Sequence, residues 1–248
     1  MSANFGGSTG SYLQATSGVS LSFTHSVSLW VKPDVHRNWS ASISFGNAAN
    51  DSHYARLLIT STGGVLLQIL GTGGQASFTH STTISTGVWT HLAYTATASS
   101  FYSYVNGTAS SQNTTAVTGF GTAVSKLTIG EYSALSTLYP FDGRIAEVGV
   151  YNGTVLSGAQ ISALAGGDKP DTIGSCTHYY LPIDDAGTWT DNVGALDLTK
   201  SGTVTNDDAD HPAMNAGGGG VTVIPPTLHS IDNQFALITA HRLGGVLQ

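Results

Sequence analysis

The sequence predicts an all-β protein, a sandwich of short antiparallel strands with one small helix. Charged residues make up only 9% of the 248 residues, and 31 residues are glycine. An average globular protein has about 25% charged residues, and a weakly charged, glycine-rich chain suits short strands joined by tight turns. Several runs also alternate apolar and other residues with a period of two. This pattern does not suit a helical bundle.

The predicted strands are apolar runs that end at glycine, proline or polar residues. Two apolar runs around Gly63 and Gly64 predict a hairpin, and two others turn near residues 98–100. Pro33 ends an earlier run because proline cannot donate a ladder hydrogen bond. In chain order, strand patterns occupy residues 11–18, 21–33, 36–54 (where a polar loop follows the strand), 55–74, 88–108 and 125–132.

Residues 141–164 predict a strand, a turn and the short helix. An Asn-Gly pair at position 152 marks the turn. Ser157 is a good helix N-cap, and Gln160 three residues later completes a capping box. Gly166 then ends the helix.

The pattern changes after residue 167. Residues 176–205 contain short strands and acidic turns, and four consecutive glycines at 217–220 predict a hinge. The segment after residue 229 is compatible with an amphipathic helix or with a strand.

Composition excludes several classes of function. The net charge is -7, with only 8 lysines and arginines, so no basic patch exists for nucleic acid. No apolar run approaches the roughly 20 residues that a membrane helix needs, and the first residues do not resemble a signal peptide. Cys176 is the only cysteine, which excludes an internal disulfide and a zinc cluster.

Five motifs in this order resemble the laminin-G-like branch of the concanavalin A-like jelly rolls. They are SVSLWVKP, GVWTHLAYT, YSYVNGT, KLTIG and FDGRIAEVGVYNGTVLSGAQISAL. The resemblance spans residues 5–166. It implies a concanavalin A-like jelly-roll sandwich in which the short helix is an architectural trait.

The same resemblance suggests how the chain is divided. Residues 176–205 resemble the segment that usually begins such domains, so we expect them to fold back beside the N-terminus and close the sandwich, as in a circular permutation. A small separate β module is the alternative. The expected units are a jelly roll over residues 1–210 and a glycine-hinged C-terminal arm over residues 211–248.

Catalysis and metal binding are not expected. Related jelly rolls include β-glucanases that share a Glu-x-Asp-x-x-Glu strand, but this chain has only Glu131 and Glu147 and no such motif. A glucanase-like glycosidase is therefore a minor alternative. The family's calcium ligand is often an aspartate at the position of Ala146, and a methyl group cannot bind calcium. The resemblance makes Glu147 a partner of the neighbouring turn. We predict no catalytic residue, no metal and no cofactor.

Glycan binding is the chemistry that the loops allow, because sugars stack on aromatic rings and need polar partners for their hydroxyls. Local packing is an equally reasonable role for each loop aromatic. Trp30 and Trp89 match core positions of the family and are excluded. The candidate glycan-binding residues are Trp39, Asn50, Asp51, Tyr54, Tyr132 and Tyr139.

The leading hypothesis is a non-enzymatic structural or decoration protein of a bacteriophage virion, made in the host cytoplasm. Its lectin-like jelly roll would contact host glycans, and its arm would dock on other copies or on other virion proteins. The alternative is an extracellular bacterial carbohydrate-binding protein. The apolar arm residues expected to mediate assembly are Val223, Ile224, Phe235, Ile238 and Leu243.

Overall fold

The computed structural model describes residues 2–47, 52–120, 124–132, 139–181, 188–207 and 209–215. The chain divides into a compact unit, Met1–Gly217, and a second unit, Gly218–Gln248. The second unit lies outside the described residues. The predictions for the terminal segment and for the arm residues Val223, Ile224, Phe235, Ile238 and Leu243 therefore concern residues that the structure does not describe.

In the described part of the chain, sixteen strands form two antiparallel sheets of eight strands each. The first, sheet A, contains β1 (Ser2–Gly6), β3 (His25–Pro33), β8 (Thr90–Thr97), β9 (Ser100–Val105), β10 (Thr108–Ala109), β12 (Asp142–Asn152), β13 (His178–Tyr180) and β16 (Val204–Asp207). Its order is β10-β9-β8-β3-β12-β1-β16, and β13 pairs with the second half of β12.

The second sheet, sheet B, carries the candidate site described below. It contains β2 (Tyr12–Ala15), β4 (Ser40–Gly46), β5 (Tyr54–Ile59), β6 (Gly64–Gly71), β7 (Gly74–Thr83), β11 (Lys126–Ile129), β14 (Thr188–Trp189) and β15 (Leu198–Ser201). Its order is β14-β15-β2-β11-β4-β5-β6-β7.

The hydrophobic core lies between the two sheets. Val27, Leu29 and Val31 of β3 face it from sheet A, and Leu57 and Leu67 face it from sheet B. Because side chains alternate along a strand, the residues between these positions lie on the outer faces. The predicted all-β sandwich is confirmed, and both predicted hairpins are present as β5–β6 and β8–β9.

The predicted helix is also confirmed, as α1 (Gly158–Ala165). The capping box has both of its hydrogen bonds: Gln160 N donates to Ser157 Oγ, and Ser157 N donates to Gln160 Oε1. Ile161 and Leu164 pack on the outer face of sheet A, where Tyr151 belongs to the same apolar cluster. A 3-10 helix follows at Pro170–Thr172. No helix in the described part of the chain is long and apolar enough to span a membrane.

Three strands of the C-terminal region pair with earlier strands of both sheets. β13 pairs with β12, β15 pairs with β2, and β16 pairs with β1. Residues 211–215 also pack within the compact unit, where Asn215 N donates to Gly167 O at 2.7 Å. The expected boundary after residue 210 therefore falls inside the compact unit.

Candidate functional site

The outer face of sheet B is the candidate site. Ile43 and Leu57 point into the core, so Ser44 and Arg56, their neighbours along β4 and β5, lie on the opposite face. Leu58 and Leu66 form a separate small apolar cluster on this face, and Tyr132, Trp39 and Tyr139 pack on them.

Four candidate aromatic residues from distant parts of the sequence meet on this face. The ring centroids of Trp39 and Tyr139 lie 5.5 Å apart, and those of Tyr139 and Tyr132 also lie 5.5 Å apart. Tyr132 meets Tyr54 edge-to-face at 6.3 Å. We call these four residues the aromatic cluster. Tyr54 and Tyr132 are buried, whereas Trp39 and Tyr139 are half-exposed and form its accessible part.

The backbone around Trp39 is held in an uncommon conformation. Its φ is 65°, in the left-handed region, which costs a non-glycine residue about 1–2 kcal/mol. Two residues later, Ala41 N donates to Tyr139 O at 2.9 Å. This bond ties the segment that carries Tyr139 to the start of β4. The fold thus holds the two half-exposed rings side by side.

A cation lies in the aromatic cluster. Cζ of Arg56 is 4.0 Å from the ring centroid of Tyr54 and 4.1 Å from that of Tyr132. The two rings are inclined by 87°, so the guanidinium fills the corner between them. Its Nε donates to Gln68 Oε1 at 2.8 Å, and Gln68 Nε2 donates to Ser77 Oγ at 3.1 Å.

Arg56 belongs to a row of polar side chains that crosses seven strands. Each member is directly opposite the next in the strand register, so all of them lie on the same outer face. None of them is acidic. In order across β15, β2, β11, β4, β5, β6 and β7, this polar row is Thr199, Gln14, Thr128, Ser44, Arg56, Gln68 and Ser77.

Three buried polar atoms of this face have no hydrogen-bond partner among the described residues. They are Nη1 of Arg56, Oγ1 of Thr128 and Oγ of Ser42. Most buried polar groups in proteins are hydrogen-bonded, and an unsatisfied one costs about 1–3 kcal/mol. All three atoms are enclosed by their neighbours, so a ligand would have to displace a covering side chain to bond them.

Four of the six candidate glycan-binding residues, Trp39, Tyr54, Tyr132 and Tyr139, form the aromatic cluster. Asn50 and Asp51 lie outside the described residues. Sequence reasoning missed Arg56, Gln68 and Thr128, although a cation inside the otherwise apolar strand YARLLI was a visible signal.

The two excluded tryptophans are not core residues, so their assignment to core positions is wrong. Trp30 is half-buried on the outer face of sheet A, where its ring lies 5.4 Å from that of His91. Trp89 precedes β8, and its Nε1 donates to Asp210 Oδ1 at 2.8 Å. Both rings lie on or beside sheet A, away from the aromatic cluster.

The two glutamates have internal partners. Gly10 N donates to Glu131 Oε2 at 2.8 Å, and burial raises the pKa of Glu131. The expectation that Glu147 bonds the neighbouring turn is wrong. Its carboxylate accepts hydrogen bonds from the Tyr179 hydroxyl and from His211 Nε2, the latter at 3.0 Å. A bulge in β12 turns Glu147 to a φ of 52° and aims it at these C-terminal residues.

Three histidines in strands, His25, His80 and His91, are buried, and His91 lies on the outer face of sheet A beside Trp30. Nε2 of His25 lies 3.1 Å from the Tyr94 hydroxyl, and Nε2 of His91 lies 2.9 Å from Ser28 Oγ. Burial lowers the pKa of His25 to about 4 and that of His91 to about 3. The backbone N–H of Thr82 donates to His80 Nδ1 at 2.9 Å.

In the described part of the chain, no three His, Cys, Asp or Glu residues lie together in a way that could hold a metal ion. Ala146, at the family's calcium position, is fully buried opposite Trp30. The absence of calcium binding stays a prediction.

Comparisons with solved structures show the same fold elsewhere. A protein of Bacteroides ovatus superposes with a TM-score of 0.64 at 19% identity, over 84% of this chain and 60% of that one. Domain 4 of an extracellular arabinanase from Geobacillus stearothermophilus, in complex with arabinotriose, has a TM-score of 0.54 at 26% identity, over 66% of this chain and 76% of that one. The CBM40 of a Ruminococcus gnavus sialidase, bound to α2,3 sialyllactose, has a TM-score of 0.54 at 20% identity, over 64% and 94%.

No curated protein matches this sequence. The family model described as the concanavalin A-like lectin/glucanases superfamily, of laminin G type, matches residues 5–162. The match confirms the laminin-G-like resemblance of the five motifs. Because it covers more than half of the residues, the chain belongs to the concanavalin A-like lectin/glucanases superfamily.

Proposed function

We propose that this protein is a non-enzymatic carbohydrate-binding protein whose glycan site is the outer face of sheet B. The observation that carries the proposal is the aromatic cluster. Trp39 and Tyr139 are separated by about a hundred residues, yet their rings lie side by side and half-exposed next to the polar row.

The chemistry of this face suits a sugar. The C–H faces of a sugar ring stack on aromatic side chains, and its hydroxyls need hydrogen-bond partners. Trp39 and Tyr139 supply the stacking surface. The polar row supplies hydrogen-bonding side chains, of which Gln14, Ser77 and Thr199 are not buried.

One relative supports the same class of ligand. The arabinanase domain, 26% identical over two thirds of this chain, is in complex with arabinotriose. The two glutamates favour binding over hydrolysis, because both are buried and hydrogen-bonded within the fold. A retaining glycosidase needs a pair of carboxyl groups that flank the scissile bond.

The test is glycan binding by the full chain, first on a glycan array and then by calorimetry with the strongest hit. Trp39→Ala and Tyr139→Ala should each weaken binding about tenfold, roughly the 1.4 kcal/mol of one aromatic contact. Trp30→Ala is the matched control, because that half-buried ring lies on sheet A, and it should leave the affinity unchanged. The absence of binding to every glycan, or equal effects of Trp39→Ala and Trp30→Ala, would overturn the proposal.

We further propose that the jelly roll is displayed on a bacteriophage virion and contacts host surface glycans. Two features support this: a composition rich in glycine and poor in charge, and the glycine hinge at 217–220 with the apolar sequence after it. The arm would bind other copies of the chain or other virion proteins. An extracellular bacterial carbohydrate-binding protein is the alternative, and it would be monomeric where the virion protein would assemble.

A further inference from the structure

We infer that the glycan site selects acidic glycans and that Arg56 binds the ligand's carboxylate. This inference rests on the proposed function and adds the chemical class of the ligand. It is carried by the position of one buried cation that has no acidic partner among the described residues.

Arg56 differs from the other arginines of the described sandwich in its electrostatic surroundings. It is 6% exposed, and the described residues provide no ion pair for it. Burying a charge is costly unless a partner compensates for it. The other cations of the fold that form ion pairs are Lys32 with Asp210, Arg37 with Asp142, and Arg144 with Asp34 and Asp210.

The tyrosines hold Arg56 without neutralising its charge. Cation–π contacts with Tyr54 and Tyr132 stabilise the guanidinium, and they fix its plane in the corner between the two rings. The bond from Nε to Gln68 fixes its rotation. The guanidinium is therefore held in place before any ligand arrives.

An unused donor remains on this fixed group. Nη1 of Arg56 has no hydrogen-bond partner among the described residues. A guanidinium presents its N–H groups as a planar fork that matches the two oxygens of a carboxylate. The unpartnered hydroxyl of Thr128 lies on the same face two strands away, beyond Ser44 in the register.

The surroundings favour an anion at this point. The polar row contains none of the chain's 15 acidic residues, although the net charge of the chain is -7. The ring centroids of the half-exposed Tyr139 and of Tyr132 lie 5.5 Å apart, and Cζ of Arg56 lies 4.1 Å from the Tyr132 centroid. A sugar stacked on Trp39 and Tyr139 would have to extend its own carboxylate, or that of the neighbouring sugar, past the Tyr132 ring to meet Arg56.

The experiment compares ligands that differ only in charge. Calorimetry with the full chain would use trigalacturonate, 3′-sialyllactose and the methyl esters of both. One charge-assisted hydrogen-bonded pair corresponds to about 10- to 100-fold in affinity, so the better acidic ligand should bind tighter than its ester by that factor. Arg56→Gln should abolish the preference while the ester still binds. Lys169→Gln changes the net charge equally outside this face and should leave the preference intact.

The outcomes separate this inference from the proposed function. If the wild type binds an acid and its ester equally, through Trp39, the site is a glycan site but the inference is wrong. A preference for the acid that persists in Arg56→Gln also overturns it. If Arg56→Gln does not fold, Arg56→Lys takes its place, because lysine keeps the positive charge but lacks the planar guanidinium. Loss of most of the preference for the acid over its ester in Arg56→Lys then supports the inference. An unchanged preference refutes it. Failure of all four ligands, together with every other array glycan, refutes both proposals.

Discussion

Nε2 of His211 lies 3.0 Å from Oε1 of Glu147, the residue at the bulge of β12. The Tyr179 hydroxyl donates to the other oxygen of the same carboxylate. Glu147 is 2% exposed. One buried carboxylate therefore fastens two separate C-terminal segments to the longest strand of sheet A.

We expect Glu147→Gln to loosen this attachment. The hydrogen bonds to a charged acceptor would be weakened, which should lower the free energy of unfolding by about 1–3 kcal/mol. Hydrogen exchange should show faster exchange in residues 209–215. Glu131→Gln changes the other buried glutamate, which bonds Gly10 instead, and should leave exchange in 209–215 unchanged. Equal exchange in the two variants would show that the contact with His211 does not hold this segment.

A fragment of residues 1–175 should aggregate. Deletion of the remaining residues removes Tyr180, Trp189, Leu198 and Val204 from the core, and it exposes the edges of β1 and β2 that pair with β16 and β15. Unpaired edges and exposed apolar surface favour association. Light scattering and thermal melting would compare this fragment with residues 1–216. A soluble 1–175 fragment that melts cooperatively would contradict the closure of the sandwich by the C-terminal strands.

Stability should fall as the pH drops below 6.5. Burial lowers the pKa of His25 to about 4 and that of His91 to about 3, from 6.5. Below pH 6.5 the unfolded chain binds protons that the folded chain excludes, so each histidine removes about 1.4 kcal/mol per pH unit until its folded pKa is reached. The contribution is fully present above pH 6.5.

Urea unfolding at pH 7.5 and pH 5 measures this effect. His91→Gln should lose about 2 kcal/mol less than the wild type between these two pH values, because it lacks one such group. His53→Gln, a change at a half-buried loop histidine, serves as the control variant. Parallel pH profiles of the wild type and His91→Gln would contradict the prediction.

Removal of residues 217–248 should abolish self-association and leave the melting temperature of the sandwich unchanged. Burying four apolar side chains of this segment in an interface is worth roughly 6–12 kcal/mol before ordering costs. Analytical ultracentrifugation of the full chain, the truncated chain and the double variant Phe235→Ser, Ile238→Ser measures the association. If the truncated chain still assembles, or its sandwich unfolds, the segment is not an assembly arm.

The strands and the helix that the sequence predicts correctly are those that depend on residues close together in the sequence. The hairpin of β5 and β6 follows from two apolar runs around Gly63, and the helix follows from Ser157 and Gln160 three residues apart. β7 gives only a weak sequence signal, because it is an edge strand with few buried residues. The aromatic candidates could be chosen as types of residue in loops, but their proximity could not be foreseen.

By itself the sequence determined that the protein is a β-sandwich with one capped helix, because periodicity, turn residues and caps act over a few positions. Only the tertiary structure decided which side chains share the site. Arg56 meets Tyr132 because β11 pairs with β4 and β4 with β5 in one particular register, and a shift of one residue would turn Arg56 into the core. Likewise, the bulge that directs Glu147 to Tyr179 and His211 forms through pairing with β3. These contacts join residues roughly 30 to 80 positions apart in the chain, and no local sequence pattern encodes which of them meet.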